Sequence, residues 1–141
     1  MQIDAIKNGI VIDHIAAGKA MHLYAMLGLN KLDCTVAIIK NVPSKKMGKK
    51  DIIKIDSVID ADLDVIGYVS PNVTVNIIKD GVLAEKKHIE LPEKLVNIIR
   101  CKNPRCITTV EQEITHIFFL SDKEKAEYRC MYCDAKAALD D

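Results

Sequence analysis

The stretch CKNPRCITTVEQEITHIFFLSDKEKAEYRCMYC, residues 101–133, carries Cys101, Cys106, Cys130 and Cys133 in the order C-x4-C, 23 residues, C-x2-C. Each short pair lets a tight turn aim two sulfurs at one point, and zinc takes about four thiolates at roughly 2.3 Å in a tetrahedron. A separation of about 20 residues between the pairs is what a small β-ribbon needs to bring two such turns together. Four protein ligands leave no position for water, so the expected cofactor is one structural Zn2+ per chain, with no catalytic role. A module this small needs such a staple to fold.

Outward from the cysteines, the composition has room for more. The chain has 141 residues, 49% of them hydrophobic, with 4% aromatic and no Trp, so the expected core is aliphatic. Basic and acidic residues balance at 20 each, and the balance holds along the chain: 13 against 12 in residues 1–95, then 7 against 8 in residues 96–141. Neither part is basic enough to argue for bulk nucleic-acid affinity. The start Met1-Gln2-Ile3-Asp4 lacks the positive region of a secretory signal, and no apolar run reaches the roughly 18–20 residues that span a bilayer. The expectation is a cytoplasmic chain with no membrane partner, where reduced thiols favour zinc over disulfides. Cys34, inside an apolar strand-like run, reads as an inert thiol.

Upstream, the periodicity changes several times. Gln2–Ile6 and Gly9–Ile15 read as short strands around an Asn8-Gly9 turn. Residues 16–29 carry apolar positions at helical spacing, with Gly28 and Asn30 as a stop. Thr35–Ile39 is a β-branched run, and Asn41–Lys50, with Pro43, Ser44 and Gly48, reads as a loop. Ile52–Ile55 reads as a strand, Ala61–Val69 as a short helix led by Asp60, and Thr74–Ile78 as a strand turned at Asp80-Gly81 onto Val82–Ala84. Two helices among five or six strands predict an α+β fold: an N-terminal antiparallel sheet with both helices packed on it, a ferredoxin-like sandwich, then the small C-terminal zinc-bound β-ribbon. The domains are expected at residues 1–92 and 93–141, with the linker near residues 87–95 and Leu91-Pro92-Glu93 breaking the pattern.

The densest basic stretch holds Lys40, Lys45, Lys46, Lys49, Lys50 and Lys54 against Asp51 alone. Lysine clusters attract phosphate, yet no glycine-rich phosphate loop is present, and on charge alone a solvated basic face is the better reading. Asp13-His14, at a strand end, and Lys86-Lys87 are equally bland in isolation. Spacing and composition therefore end at a zinc-stapled, two-domain chain with a possible anion-binding face.

The strings GIVIDHI (9–15), NVPSKKMGKKDIIKI (41–55), TVNII (74–78) and LPEKLVNIIRC (91–101), followed by the four-cysteine spacing, resemble the regulatory chain of aspartate carbamoyltransferase from about Gln2 to Cys133. The resemblance implies a non-catalytic subunit of pyrimidine biosynthesis. Its N-terminal domain would dimerise and bind the effectors CTP and ATP, and its zinc domain would dock on a separate catalytic chain. By the same resemblance, Ile3, Asp4, Ala5 and Ile6 offer backbone and apolar wall to the base, with Val11 nearby. Asp13 accepts from ligand hydroxyl or amino groups, and His14 lies towards the sugar and phosphates. Lys50, Ile52, Lys54, Asn76, Ile78 and Leu83 complete the nucleotide site, with Lys86 on phosphate. Gly81 stands where the family type has a tyrosine beside the base, and Leu83 where it has a valine. Asn103, Arg105 and Asp134 are the expected contacts with the catalytic chain; Asn103 follows the family pattern, whereas Lys102 and Arg105 depart from it.

Two other classes remain weighable on the residues. A zinc-ribbon nucleic-acid binder would need phosphate-neutralising charge that residues 96–141 lack. An enzyme using Cys130-x-x-Cys133 for redox work, or hydrolysing nucleotide, would need a nucleophile–base set that is not visible, and the second cysteine pair favours zinc.

Overall fold

The structure, a computed structural model, describes residues 7–111 and 113–137, so the expected Gln2–Ile6 strand lies outside the described residues. The chain forms two compact units, Met1–Glu90 and Leu91–Asp141.

In the first unit, β1 (Gly9–Ala16) leads to α1 (Ala20–Met26), a 3-10 turn (Leu29–Lys31), then β2 (Val36–Ser44) and β3 (Gly48–Ile55). There follow α2 (Leu63–Val69), β4 (Thr74–Lys79) and β5 (Val82–His88). The strands form one sheet in the order β2-β3-β1-β4-β5, with every neighbouring pair antiparallel. The β1-α1-β2-β3-α2-β4 portion has the ferredoxin-like order, and β5 extends it. One sheet face is made by alternation: Ile12 lies between Ile53 and Val75, and Ile10 between Ile55 and Ile77. These pack with Ala20 and Leu23 of α1 and Val65 and Ile66 of α2 into an aliphatic core. We expect Ile12→Ala, at a position 0% exposed, to destabilise this unit by about 2–5 kcal/mol in urea melts, because a cavity remains in a packed layer.

Four boundaries differ from the sequence reading, each for a local reason. The expected helix over residues 16–29 begins only at Ala20. Ala16 stays in β1, the chain turns at Gly18 (φ +92°), and Gly28 (φ +68°) ends the helical path. The expected loop Asn41–Lys50 is largely strand: β2 runs to Ser44 and β3 starts at Gly48. Pro43 is tolerated because β2 is a sheet edge, and Asn41 (φ +58°) absorbs a bulge between Ile39 and Val42. The cap of α2 is Asp62, where Asp60 was expected; its carboxylate accepts from Asp64 N at 3.0 Å and Val65 N at 3.4 Å. β5 reaches His88, past Ala84, because an exposed edge imposes no apolar alternation on Glu85-Lys86-Lys87.

In the second unit, β6 (Lys94–Val96), β7 (Ile117–Asp122) and β8 (Glu127–Cys130) form a sheet in that order, with a single helical turn, α3 (Ile107–Val110), between β6 and β7. The expected zinc-bound β-ribbon is thus three-stranded, and its first strand starts inside the stretch read as linker. Leu95, Phe118 and Tyr128 are buried, and the Tyr128 hydroxyl donates to Pro92 O at 2.6 Å. Among the described residues, no helix is long and apolar enough to cross a membrane.

Candidate metal centre and ligand-binding face

The metal centre is built from two turns. Cys101 and Cys106 flank a loop tightened by Asn103, whose Oδ1 accepts from Arg105 N at 3.1 Å and whose carbonyl accepts from Cys106 N at 3.0 Å. Cys130 ends β8, and the chain turns back so that Asp134 N donates to Cys130 O at 2.9 Å, with Asp134 at φ +64°. The four sulfurs lie within 4.8 Å of one another, with Cys101–Cys133 at 3.6 Å and Cys106–Cys130 at 3.7 Å. A tetrahedron with bonds of about 2.3 Å has edges of about 3.8 Å, so the set fits one zinc ion. The cysteines are free thiols, and three of the four are buried. As thiols they differ: burial pushes Cys101 up to about 12, whereas the Thr108 hydroxyl draws Cys106 down to about 7. A divalent ion deprotonates all of its thiol ligands outright. The chain therefore carries one closed, structural zinc site.

The second candidate is the sheet face opposite the core. Residues flanking the buried Ile10, Ile12, Ile53, Ile55 and Val75 must point the other way. The register aligns them: Val11 pairs with Lys54 on one side and Asn76 on the other, and Asn76 pairs with Lys86. One cross-strand row thus holds Lys54, Val11, Asn76 and Lys86. Ile78 and Leu83 pair next to it, and Ile52 lies between Lys50 and Lys54 on the same face. Asn76 Nδ2 approaches Val11 O at 3.5 Å.

Further along β1 from this row, the strand bulges after Ile12, and His14 takes a left-handed conformation (φ +63°). The bulge swings Asp13 towards β3, where its Oδ1 meets Lys50 Nζ at 2.9 Å and accepts from His14 N at 2.6 Å. His14 Nδ1 is buried with no hydrogen-bond partner among the described residues. Burial pushes the Asp13 carboxyl up, but the Lys50 hydrogen bond, the His14 N–H and the charges of both neighbours outweigh it. The net value falls below the ordinary 3.8. With a lowered folded-state value, the ion pair stabilises the fold above the unfolded Asp value and is lost as pH falls through the folded one. We therefore expect Asp13→Asn to flatten the loss of stability as pH falls from neutral to below the ordinary Asp value, read by urea melts across that range.

Of the residues singled out beforehand, Ile3, Asp4, Ala5 and Ile6 lie outside the described residues. The rest of the nucleotide set shares or borders the one face. Gly81 has a backbone reason of its own: with Asp80 (φ +54°) and Gly81 (φ +77°) the β4–β5 turn is type I′, and Gly81 N donates to Lys7 O at 2.8 Å. Arg105 and Asp134 are exposed, and Asn103 is half-buried with its oxygen already engaged.

Residues missed beforehand surround both sites. Asp51, the lone acid of the lysine stretch, is 0% exposed; its Oδ2 accepts from Gly18 N (3.0 Å) and Ala20 N (3.3 Å) and its Oδ1 from Asn41 N (3.0 Å). Its signal was the alternation Asp51, Ile53, Ile55, which places it on the core face. His116, whose Nδ1 accepts from Cys101 N at 3.4 Å, and Thr108 carried no spacing signal at all.

Comparison with known proteins bears on both sites. The family model described as aspartate carbamoyltransferase regulatory chain, allosteric domain, matches residues 1–90, and that of the same chain's metal binding domain matches residues 93–141. An aspartate carbamoyltransferase regulatory chain from Clostridium tetani is 52% identical over 135 residues, covering 95% of this chain and 94% of its own length. Regulatory chains from Clostridium botulinum (48% over 134 residues, covering 95% and 92%) and Bifidobacterium longum (45% over 139 residues, covering 99% and 100%) are also similar.

Proposed function

Because the chain belongs to the family of aspartate carbamoyltransferase regulatory chains, we propose that it binds CTP and ATP on the open face of its first sheet and transmits their effect to a separate catalytic chain. Its regulatory identity, its allosteric and metal-binding domains and its place in pyrimidine biosynthesis follow from the family. The observation that carries the effector reading is the cross-strand row ending in Lys54 and Lys86, with Lys50 held beside it by Asp13. A nucleoside triphosphate brings about four negative charges, and charge-assisted hydrogen bonds contribute roughly 1.5–3 kcal/mol each. The apolar Val11, Ile52, Ile78 and Leu83 supply surface for a base.

In this reading Lys86 meets phosphate, Lys54 donates to ribose or base, and Asp13 accepts from a ligand hydroxyl or amino group, exchanging its present partner Lys50. His14 turns its buried nitrogen to the ligand. Gly81 presents no side chain at the base end, which leaves discrimination between CTP and ATP to backbone groups and Leu83. We expect Lys86→Ala and Lys54→Ala each to weaken nucleotide binding tenfold or more in calorimetric titrations of the zinc-loaded chain. Unchanged affinity in both variants overturns the assignment of this face.

The zinc domain is the docking module in this account, through Asn103, Arg105 and Asp134, and the first unit supplies the homodimer contact. The protein acts in the cytoplasm, without a nucleic-acid or membrane partner. Effectors act at a distance by binding the quaternary states with unequal affinity, with couplings of about 1–3 kcal/mol.

A further inference from the structure

We propose that Thr108 is a positioning residue of the metal centre, its hydroxyl donating to the Cys106 thiolate and fixing that corner of the zinc site. Thr108 is 3% exposed, and its Oγ1 lies 3.0 Å from Cys106 Sγ. A metal-bound thiolate carries no proton, so in the zinc-loaded chain the hydroxyl is the donor. The placement follows from the local fold. Cys106 is the N-cap of α3, which turns Thr108 back over the sulfur two residues before it. The adjacent Thr109 does a different job: its Oγ1 contacts Asn103 O at 2.9 Å and Cys106 O at 2.7 Å, tying the Cys101–Cys106 loop through its backbone.

One zinc ion with four thiolates leaves two net negative charges in a largely buried site. The Thr108 hydroxyl supplies a side-chain donor to one of these sulfurs. Donation to a thiolate offsets part of its charge and holds the sulfur in its bonding direction. Partners of this kind typically change metal affinity 10- to 100-fold when removed.

The test compares Thr108→Val, which keeps the shape and deletes the donor, with Thr108→Ser, which keeps the donor and deletes the methyl. Zinc transfer from the full-length chain to a chromophoric chelator gives the release rate, and cobalt-loaded protein gives the thiolate-to-metal charge-transfer band. The expected result is at least tenfold faster release and a displaced band in Thr108→Val, with both near wild type in Thr108→Ser. A valine variant that loads metal only in excess zinc, while the serine variant loads normally, supports the same conclusion. Wild-type release and an unmoved band in the valine variant overturn it. So does equal acceleration in both variants, which makes the methyl's packing the cause.

Discussion

Removing the zinc, by chelation or by Cys130→Ala, unfolds the 94–137 region while the 9–88 region keeps its structure. Among the described residues, the second unit's buried side chains are few: Leu95, Phe118 and Tyr128, together with Thr108 and the ligands Cys101, Cys106 and Cys130. Take away the ion and the best-packed part of this interior becomes four mutually close thiols with no bond between them. A unit of about 50 residues is marginal on hydrophobic burial alone. Structural zinc contributes on the order of 10–16 kcal/mol in small modules, as much as the whole stability of an ordinary domain. The first unit has its own aliphatic core, and among the described residues it holds no metal-ligand cluster. Amide NMR of the stripped chain should therefore lose the dispersed signals of the second unit alone and regain them on adding zinc. Because the zinc domain is the proposed docking module, the Cys130→Ala chain should also fail to co-elute with the catalytic chain. Retained co-elution contradicts that role.

Asp51→Ala should be among the most damaging single substitutions in the first unit. The carboxylate gathers N–H groups from three places: the turn before α1, the start of α1, and the β2 bulge at Asn41. It thus ties α1, the inner strand β3 and the edge strand β2 at one buried point. Deleting it leaves several donors without a partner, each costing roughly 1–3 kcal/mol, so a loss of about 3–5 kcal/mol is expected. Asp51→Asn keeps the shape but turns an N–H donor towards N–H donors, so a substantial part of the loss should remain. Urea melts of the first unit's tertiary signal measure both. A loss under about 1 kcal/mol for the alanine variant means these contacts do not hold the fold together.

Much of this was legible in the residues. The cysteine spacing states the metal centre outright, because zinc geometry demands paired ligands on tight turns. The short apolar runs Gly9–Ile15 and Ile52–Ile55 marked strands correctly, because one face of each packs on the core. Legibility failed where an edge strand freed the chain from alternation, as at Glu85-Lys86-Lys87, and where a strand borrowed loop residues, as at Pro43 and Ser44. The ligand face illustrates a further limit. Asp13, Lys54, Asn76 and Lys86 are unremarkable one at a time, and only strand register and the His14 bulge bring them together. Asp51 was hidden for the opposite reason: it read as one acid among lysines, while its structural role lies on the other side of the same strand.

The most direct test of the regulatory reading is the aspartate saturation curve of the cognate catalytic subunit, alone and with the zinc-loaded chain, each with CTP or ATP. The account predicts that the chain forms a complex, makes the curve sigmoidal, and lets nucleotide shift the half-saturating aspartate concentration, by a factor within roughly 5–150. A curve untouched by the chain or by either nucleotide, with no complex formed, contradicts it.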